Sequence, residues 1–132
     1  MDPIENPVTL KIDGFADREV LAVSYSFERA TDVHGQMSGV PRGGCITVRV
    51  KALNDGNPDL LKWMTTPSLA KKGSIEFLKT TDWSKLKTIE FEEAYCVGFQ
   101  EKWEDKQLHW EEVTIQSKKM KNGPVEFGYK WS

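Results

Sequence analysis

The chain has 132 residues, 39% of them hydrophobic and 29% charged, the composition of an ordinary soluble globular protein with room for a real core. Eighteen basic against twenty acidic residues give a formal charge of -2, divided 7 to 9 over residues 1–66 and 11 to 11 over 67–132, so the totals imply no basic face for nucleic acid. No apolar run reaches transmembrane length, and the first seven residues lack the basic and apolar regions of a signal peptide. Synthesis and folding in the cytoplasm, with no membrane insertion, is the expectation.

In chain order, Val8, Leu10 and Ile12 alternate with Thr9 and Lys11 as a short half-buried strand, and Asp13-Gly14 is a turn signal. Residues 18–27 form a longer strand with Leu21, Val23, Tyr25 and Phe27 on one face and Val20, Ala22, Ser24 and Ser26, all small, on the other. A face of small residues suits close approach by another layer or another chain. Residues 28–44 break the rhythm with four glycines and a proline, and a loop of that length in a compact domain is functional or disordered. Ile46, Val48, Val50 and Ala52 resume the alternation.

A helix is predicted over residues 57–66. Asn57 caps it, Pro58 suits the first helical position, and Asp59 places negative charge at the positive end of the helix dipole. Leu60, Trp63 and Met64 fall at i, i+3 and i+4 as its core anchors, and Pro67 ends it after about two turns. So short a helix is unstable alone and must pack on the strands. Beyond it, Ile75 and Phe77 mark a strand over 74–79. The run to Trp103 is too long for one strand and is divided near Glu92-Glu93. A strand around Val113 and Ile115 follows, then the Asn122-Gly123-Pro124 turn and a last alternation of Val125, Phe127, Tyr129 and Trp131. Seven or eight short strands and one helix predict one mostly β domain over 1–132, a small antiparallel barrel or sandwich with the helix packed across an opening or face.

No catalytic constellation stands out. His34 and His109 have no clustered ligand partners, and Gly-x-Ser-x-Gly and phosphate-loop spacings are missing. Glu90, Glu92, Glu93, Glu101, Glu104, Asp105, Glu111 and Glu112 read as solvated strand faces and turns. Trp103, Trp110 and Trp131 read as packed strand aromatics, leaving Trp83 as the candidate for an exposed contact. Cys45 and Cys96 read as free buried thiols. No metal, cofactor or enzyme activity is expected, which leaves binding or assembly.

The ordered set Val-Ser-Tyr-Ser-Phe (23–27), Thr31-Asp32, His34-Gly35, Gly43-Gly44-Cys45-Ile46-Thr47-Val48, Trp63-Met64, the segment 71–77, the segment 86–95 and a strand ending near Trp131 resembles the TssD (Hcp) tube protein of type VI secretion systems, in the form found in Bacteroidetes. The resemblance runs from about Val8 to Trp131. It implies a β-barrel with a side helix that assembles into homohexameric rings, stacked into a tube like that of a phage tail. It further implies a contractile sheath around the tube, a spike protein at its tip, effector proteins carried inside it or fused to it, and export by the apparatus without a signal peptide. With the sequence stopping at Ser132, no fused effector is expected. In the family the loop after the second strand contributes to contacts between rings, which by position assigns Asp32, His34, Gln36, Met37, Val40 and Arg42 to stacking. The competing reading from the residues alone is a monomeric ligand- or carbohydrate-binding barrel using Trp83 or Trp103.

Overall fold

The computed structural model describes residues 7–28, 42–53, 55–66, 68–104 and 109–128. Seven strands and one helix follow in the order β1 (Val8–Ile12), β2 (Arg18–Glu28), β3 (Arg42–Lys51), α1 (Asp59–Thr65), β4 (Lys71–Leu78), β5 (Lys85–Lys102), β6 (Trp110–Asn122) and β7 (Val125–Gly128). All pair antiparallel in one sheet of order β3-β2-β1-β4-β5-β6-β7. A further β3–β6 pairing closes six of them into a barrel and leaves β7 outside. The predicted small antiparallel barrel with one helix is what the chain forms.

The alternation explains the barrel. Ile46, Val48 and Val50 of β3 sit opposite Ile115, Val113 and Glu111 of β6, and all six side chains are buried. Leu10, Ile75, Ile89 and Phe91 complete the middle of the core. Strand direction sorts the connections into two ends. The loop end carries the β2–β3 anchors Glu28 and Arg42, the 79–84 turn and the Gly123-Pro124 turn. The helix end carries the 13–17 turn, the segment 52–70 with α1, and the β5–β6 connection.

Three irregularities alter the predicted pattern. The run through Glu92-Glu93 does not divide: β5 is one strand of 18 residues, bent where Glu93 adopts φ 50° and the β4 register slips between Gly73–Phe91 and Lys71–Ala94. A bulge absorbs the length that seemed excessive for one strand. A second bulge lies between Cys96 and Gly98, and a third between Val20 and Ala22 of β2. That third bulge turns Val20 into the core, at 2% exposure, together with Val23 and Tyr25, so the small outer face of β2 is Ala22, Ser24 and Ser26.

Helix α1 starts one residue later than expected. Pro58 precedes its first turn, and the Asn57 side-chain oxygen still accepts the Asp59 N–H at 2.8 Å. Thr66 leaves in extended conformation, the preference of a residue before proline. Leu60 and Trp63 are each 1% exposed. Trp63 packs edge-on against Phe15 at 6.1 Å and donates its indole N–H to the Leu69 carbonyl at 2.8 Å. Met64 departs from its predicted anchoring role, at 37% exposure. At about 100° per residue the buried arc of so short a helix centres between Leu60 and Trp63, and Met64 lies about 70° away from that centre.

Candidate assembly surfaces

The barrel presents two outer walls of different chemistry. On β1, β4 and the first half of β5, outward positions are charged: Lys11 pairs with Glu76 at 3.3 Å, while Glu90 and Glu92 face Lys121 and Lys119 of β6. Here Gly73 is required by close approach, since a Cβ would overlap the Lys11 carbonyl oxygen and lie 2.8 Å from the Phe91 ring. On β2, β3, β6 and the second half of β5, uncharged side chains cross the strands in rows, short in the first and mixed in length in the second. Ser24, Thr47, Thr114 and Gly98 form one row; Ser26, Cys45, Gln116 and Tyr95 form the next. Toward the helix end the wall becomes charged, where Arg49 lies 4.0 Å over the Trp110 ring and bonds Glu112 at 3.1 Å.

Backbone pairing sets this second wall apart. Among the described residues, β5 pairs with β4 only as far as Ala94 but with β6 as far as Lys102. The stretch 95–102 therefore has a strand neighbour on one side only. β2 likewise meets β1 only at Arg18 and Glu19, and over 21–26 has β3 as its sole described strand neighbour. The four-stranded sheet β2-β3-β6-β5 thus carries an open edge on each flank, and an open edge is a template for another strand. Val97, 51% exposed, sits on one of these edges.

A buried ion pair fixes this sheet at the helix end. Arg18 of β2, 3% exposed, reaches past the end of β3 to bond Glu111 of β6 at 2.6 Å and the Lys51 carbonyl at 3.1 Å. Glu111 was expected on the solvated face. The sequence has Glu111 in phase with Val113 and Ile115, and that phase was the signal that it points inward. Beside it His109 and Glu101 approach to 2.7 Å at the mouth of a cleft of about 160 Å³, lined by Leu61, Pro58 and Phe99.

The remaining candidates fall as follows. Asp32, His34, Gln36, Met37 and Val40 lie outside the described residues. Arg42 begins β3 opposite Glu28, so its backbone belongs to a strand and not to the loop. Trp83 is 47% exposed at φ 60°, held on a turn where Asp82 accepts both the backbone N–H and the hydroxyl of Ser84. The Ser84 hydroxyl, then the Ser84 N–H, hold the Asp82 carboxyl below its ordinary pKa. Trp103, expected to pack, stands past the end of β5 at 64% exposure, and Trp110 is half-buried beneath Arg49. Cys96 is buried, and burial pushes its thiol pKa up, opposed by a hydrogen bond from the Gly98 backbone. Cys45, by contrast, is exposed on the outer face of β3, and both thiols are free.

The described residues form a closed barrel that keeps an unpaired strand edge on β2 and on β5. The chain belongs to the Hcp family: the family model for hemolysin coregulated protein Hcp (TssD) matches residues 5–132. This is a family of structural tube proteins. Among solved structures, Hcp1 from Flavobacterium johnsoniae is 34% identical with a TM-score of 0.83, over 92% of this chain and 98% of that one. An Hcp1 mutant from Escherichia coli is 20% identical with a TM-score of 0.75, over 96% and 99% of the two chains. The baseplate of the anti-feeding prophage is 12% identical with a TM-score of 0.61, over 99% of each chain. These last two likenesses concern the fold alone. A search of curated proteins finds no match. No helix among the described residues is long and apolar enough to cross a membrane.

Proposed function

We propose that six copies close into a ring by pairing the open β2 edge of one copy with the open β5 edge of the next, and that the small-residue wall lines the lumen. The observation that carries this reading is the direction of the four strands. β2 and β6 run one way, β3 and β5 the other, so rotating a copy about the ring axis brings its β2 antiparallel to its neighbour's β5. The same rows align across the seam, since Val23, Val48, Val113 and Phe99 occupy one level of the sheet. A head-to-tail contact that closes on rotation gives a ring, and the row Ser24, Thr47, Thr114 and Gly98 turns short side chains toward its lumen.

Stacked rings then form the inner tube of a type VI secretion apparatus, expelled by a contractile sheath behind a spike protein and carrying effectors. The subunit is made in the cytoplasm, leaves through that apparatus, and acts without enzyme activity or cofactor. Asp32, His34, Gln36, Met37, Val40 and Arg42 contribute to axial contacts, a reading supported by the loop-end position of the Glu28–Arg42 anchors.

Light scattering after size exclusion, with negative-stain electron microscopy, tests the reading. Annular particles near six times 15.1 kDa, about 91 kDa, are expected. A monomer at every concentration, showing tryptophan quenching with a small ligand, would favour the ligand-binding barrel.

A further inference from the structure

The open edge of β2 lacks the protections of its counterpart. The β5 edge over 95–102 is broken by the bulge at Val97 and carries Glu101 and Lys102, whereas residues 21–26 of β2 carry no charge. An uncharged open edge invites pairing with any strand, and natural sheets cover or charge such edges. The chain before β1 is placed to cover this one. β1 pairs with β4 over all five residues but with β2 only at Thr9 and Leu10, and the Pro7 carbonyl still accepts the Leu78 N–H at 2.8 Å. Asp13 likewise donates its N–H to the Lys72 carbonyl at 3.0 Å, so backbone groups at odd positions turn to β4 and those at even positions to β2. Residues 1–6 lie outside the described residues. Carried on past Pro7, with the extra residue of the β2 bulge counted, the β1–β2 register sets Asn6 opposite Val23 and Ile4 opposite Tyr25. Pro3 and Pro7 fall at odd positions, where a missing N–H costs β2 no hydrogen bond. Ile4 and Asp2 share the phase of Leu10 and Ile12, the buried face, where Val23 and Tyr25 are only partly covered. The Lys87 ammonium lies there too, 6.0 Å from the Tyr25 ring and 5.0 Å from that of Phe77, and no ion pair of the described residues engages it.

We propose that residues 2–6 form a strap along the β2 edge of the dispersed subunit: Asn6 and Ile4 pair with Val23 and Tyr25, the Ile4 side chain covers those two, and Asp2 meets the Lys87 ammonium. The strap competes with a neighbour's β5 for one edge, so closing the ring displaces it. That competition rests on the ring reading above, whereas the strap itself does not. A subunit covered in this way is kept from indiscriminate edge pairing until its concentration favours ring contacts by mass action.

The test is amide hydrogen exchange in the dispersed subunit, on the unaltered protein, a protein lacking residues 1–6, and the substitutions Ile4→Pro and Glu5→Pro. Removing the strap should speed exchange at Val23 and Tyr25 roughly tenfold, a modest step because so short a pairing opens readily, and well short of the protection a ring neighbour gives. Ile4→Pro should match the deletion, because position 4 must donate to β2. Glu5→Pro, whose N–H turns away from β2, should match the parent. In light scattering, the concentration at half ring formation should fall roughly tenfold for the deletion and for Ile4→Pro, and for neither of the others. Val23 and Tyr25 amides that exchange equally in all four proteins would overturn the strap. Protection that rises with protein concentration would overturn it too, by assigning the edge to a second copy. Faster exchange with unchanged ring formation would overturn the competition. If none of the four forms rings, the tube reading fails, and exchange alone still decides the strap.

Discussion

The two walls of this barrel are built by the same alternation yet end differently. The wall of β1, β4 and upper β5 has its strands paired on both sides, and its outward positions set Lys11, Glu76 and Glu90 among Thr9, Ser74 and Thr88. Among the described residues, the wall of β2, β3, β6 and lower β5 keeps two open edges and a face that runs from Ser24, Thr47, Thr114 and Gly98 to Cys45, Gln116 and Tyr95. Burial alone would have been satisfied by either design. The difference teaches that the second wall answers to something beyond the core, which is the unpaired backbone that the proposed ring closure calls for.

The largest expected effect comes from the pin that holds the open-edged wall together. Glu111→Ala leaves the Arg18 guanidinium buried without its partner and should lower stability by about 3–5 kcal/mol in urea unfolding. A loss under about 1 kcal/mol would mean that water replaces the carboxylate and the pin matters little. On the charged wall the corresponding break is steric. Gly73→Val pushes a side chain into the β1 backbone and Phe91, at a cost of about 1–3 kcal/mol. The same measurement checks it, and an unchanged midpoint would show that β1 yields.

A third change should separate the walls cleanly. Val97→Asp places charge on an exposed open edge, so stability should stay within about 0.5 kcal/mol of the parent while the ring fraction falls roughly tenfold. The contrasting change Glu76→Gln on the charged wall should alter neither. If both behave alike in light scattering, the distinction between the walls fails. The smallest effect concerns the loop-end turn. Because the Asp82 pKa is lowered in the fold, its stabilisation is fully present above the ordinary carboxylate pKa and fades as pH falls through the lowered value. Trp83 fluorescence should follow that acid transition, and Asp82→Ala should remove it; a transition that persists in the variant would assign it to another carboxylate.

Much of this fold is legible in the residues themselves. Asn57, Pro58 and Pro67 bracket the helix because capping and proline geometry act within a few positions. The runs Leu10-Ile12 and Ile46-Val48-Val50 announce strands because a half-buried sheet demands a period of two. What escapes is set by pairing between distant segments. The bulges at Leu21, Glu93 and Val97 follow from barrel curvature and register, and they turn Val20 inward and keep β5 whole. Met64 reads as an anchor by its spacing from Leu60, but the buried arc centres between Leu60 and Trp63 and leaves it outside. The open edges of β2 and β5, on which the proposed ring closure turns, depend on where β1 and β4 stop pairing, which no local pattern records.

The most direct measurement is amide hydrogen exchange over 95–102 and 21–26, comparing assembled particles with the dispersed subunit. If those edges pair between copies, alternate amides in both stretches should become strongly protected on assembly, while protection over β4 stays the same. Assembled particles whose β2 and β5 edges exchange as fast as in the free subunit would contradict edge pairing as the basis of ring closure.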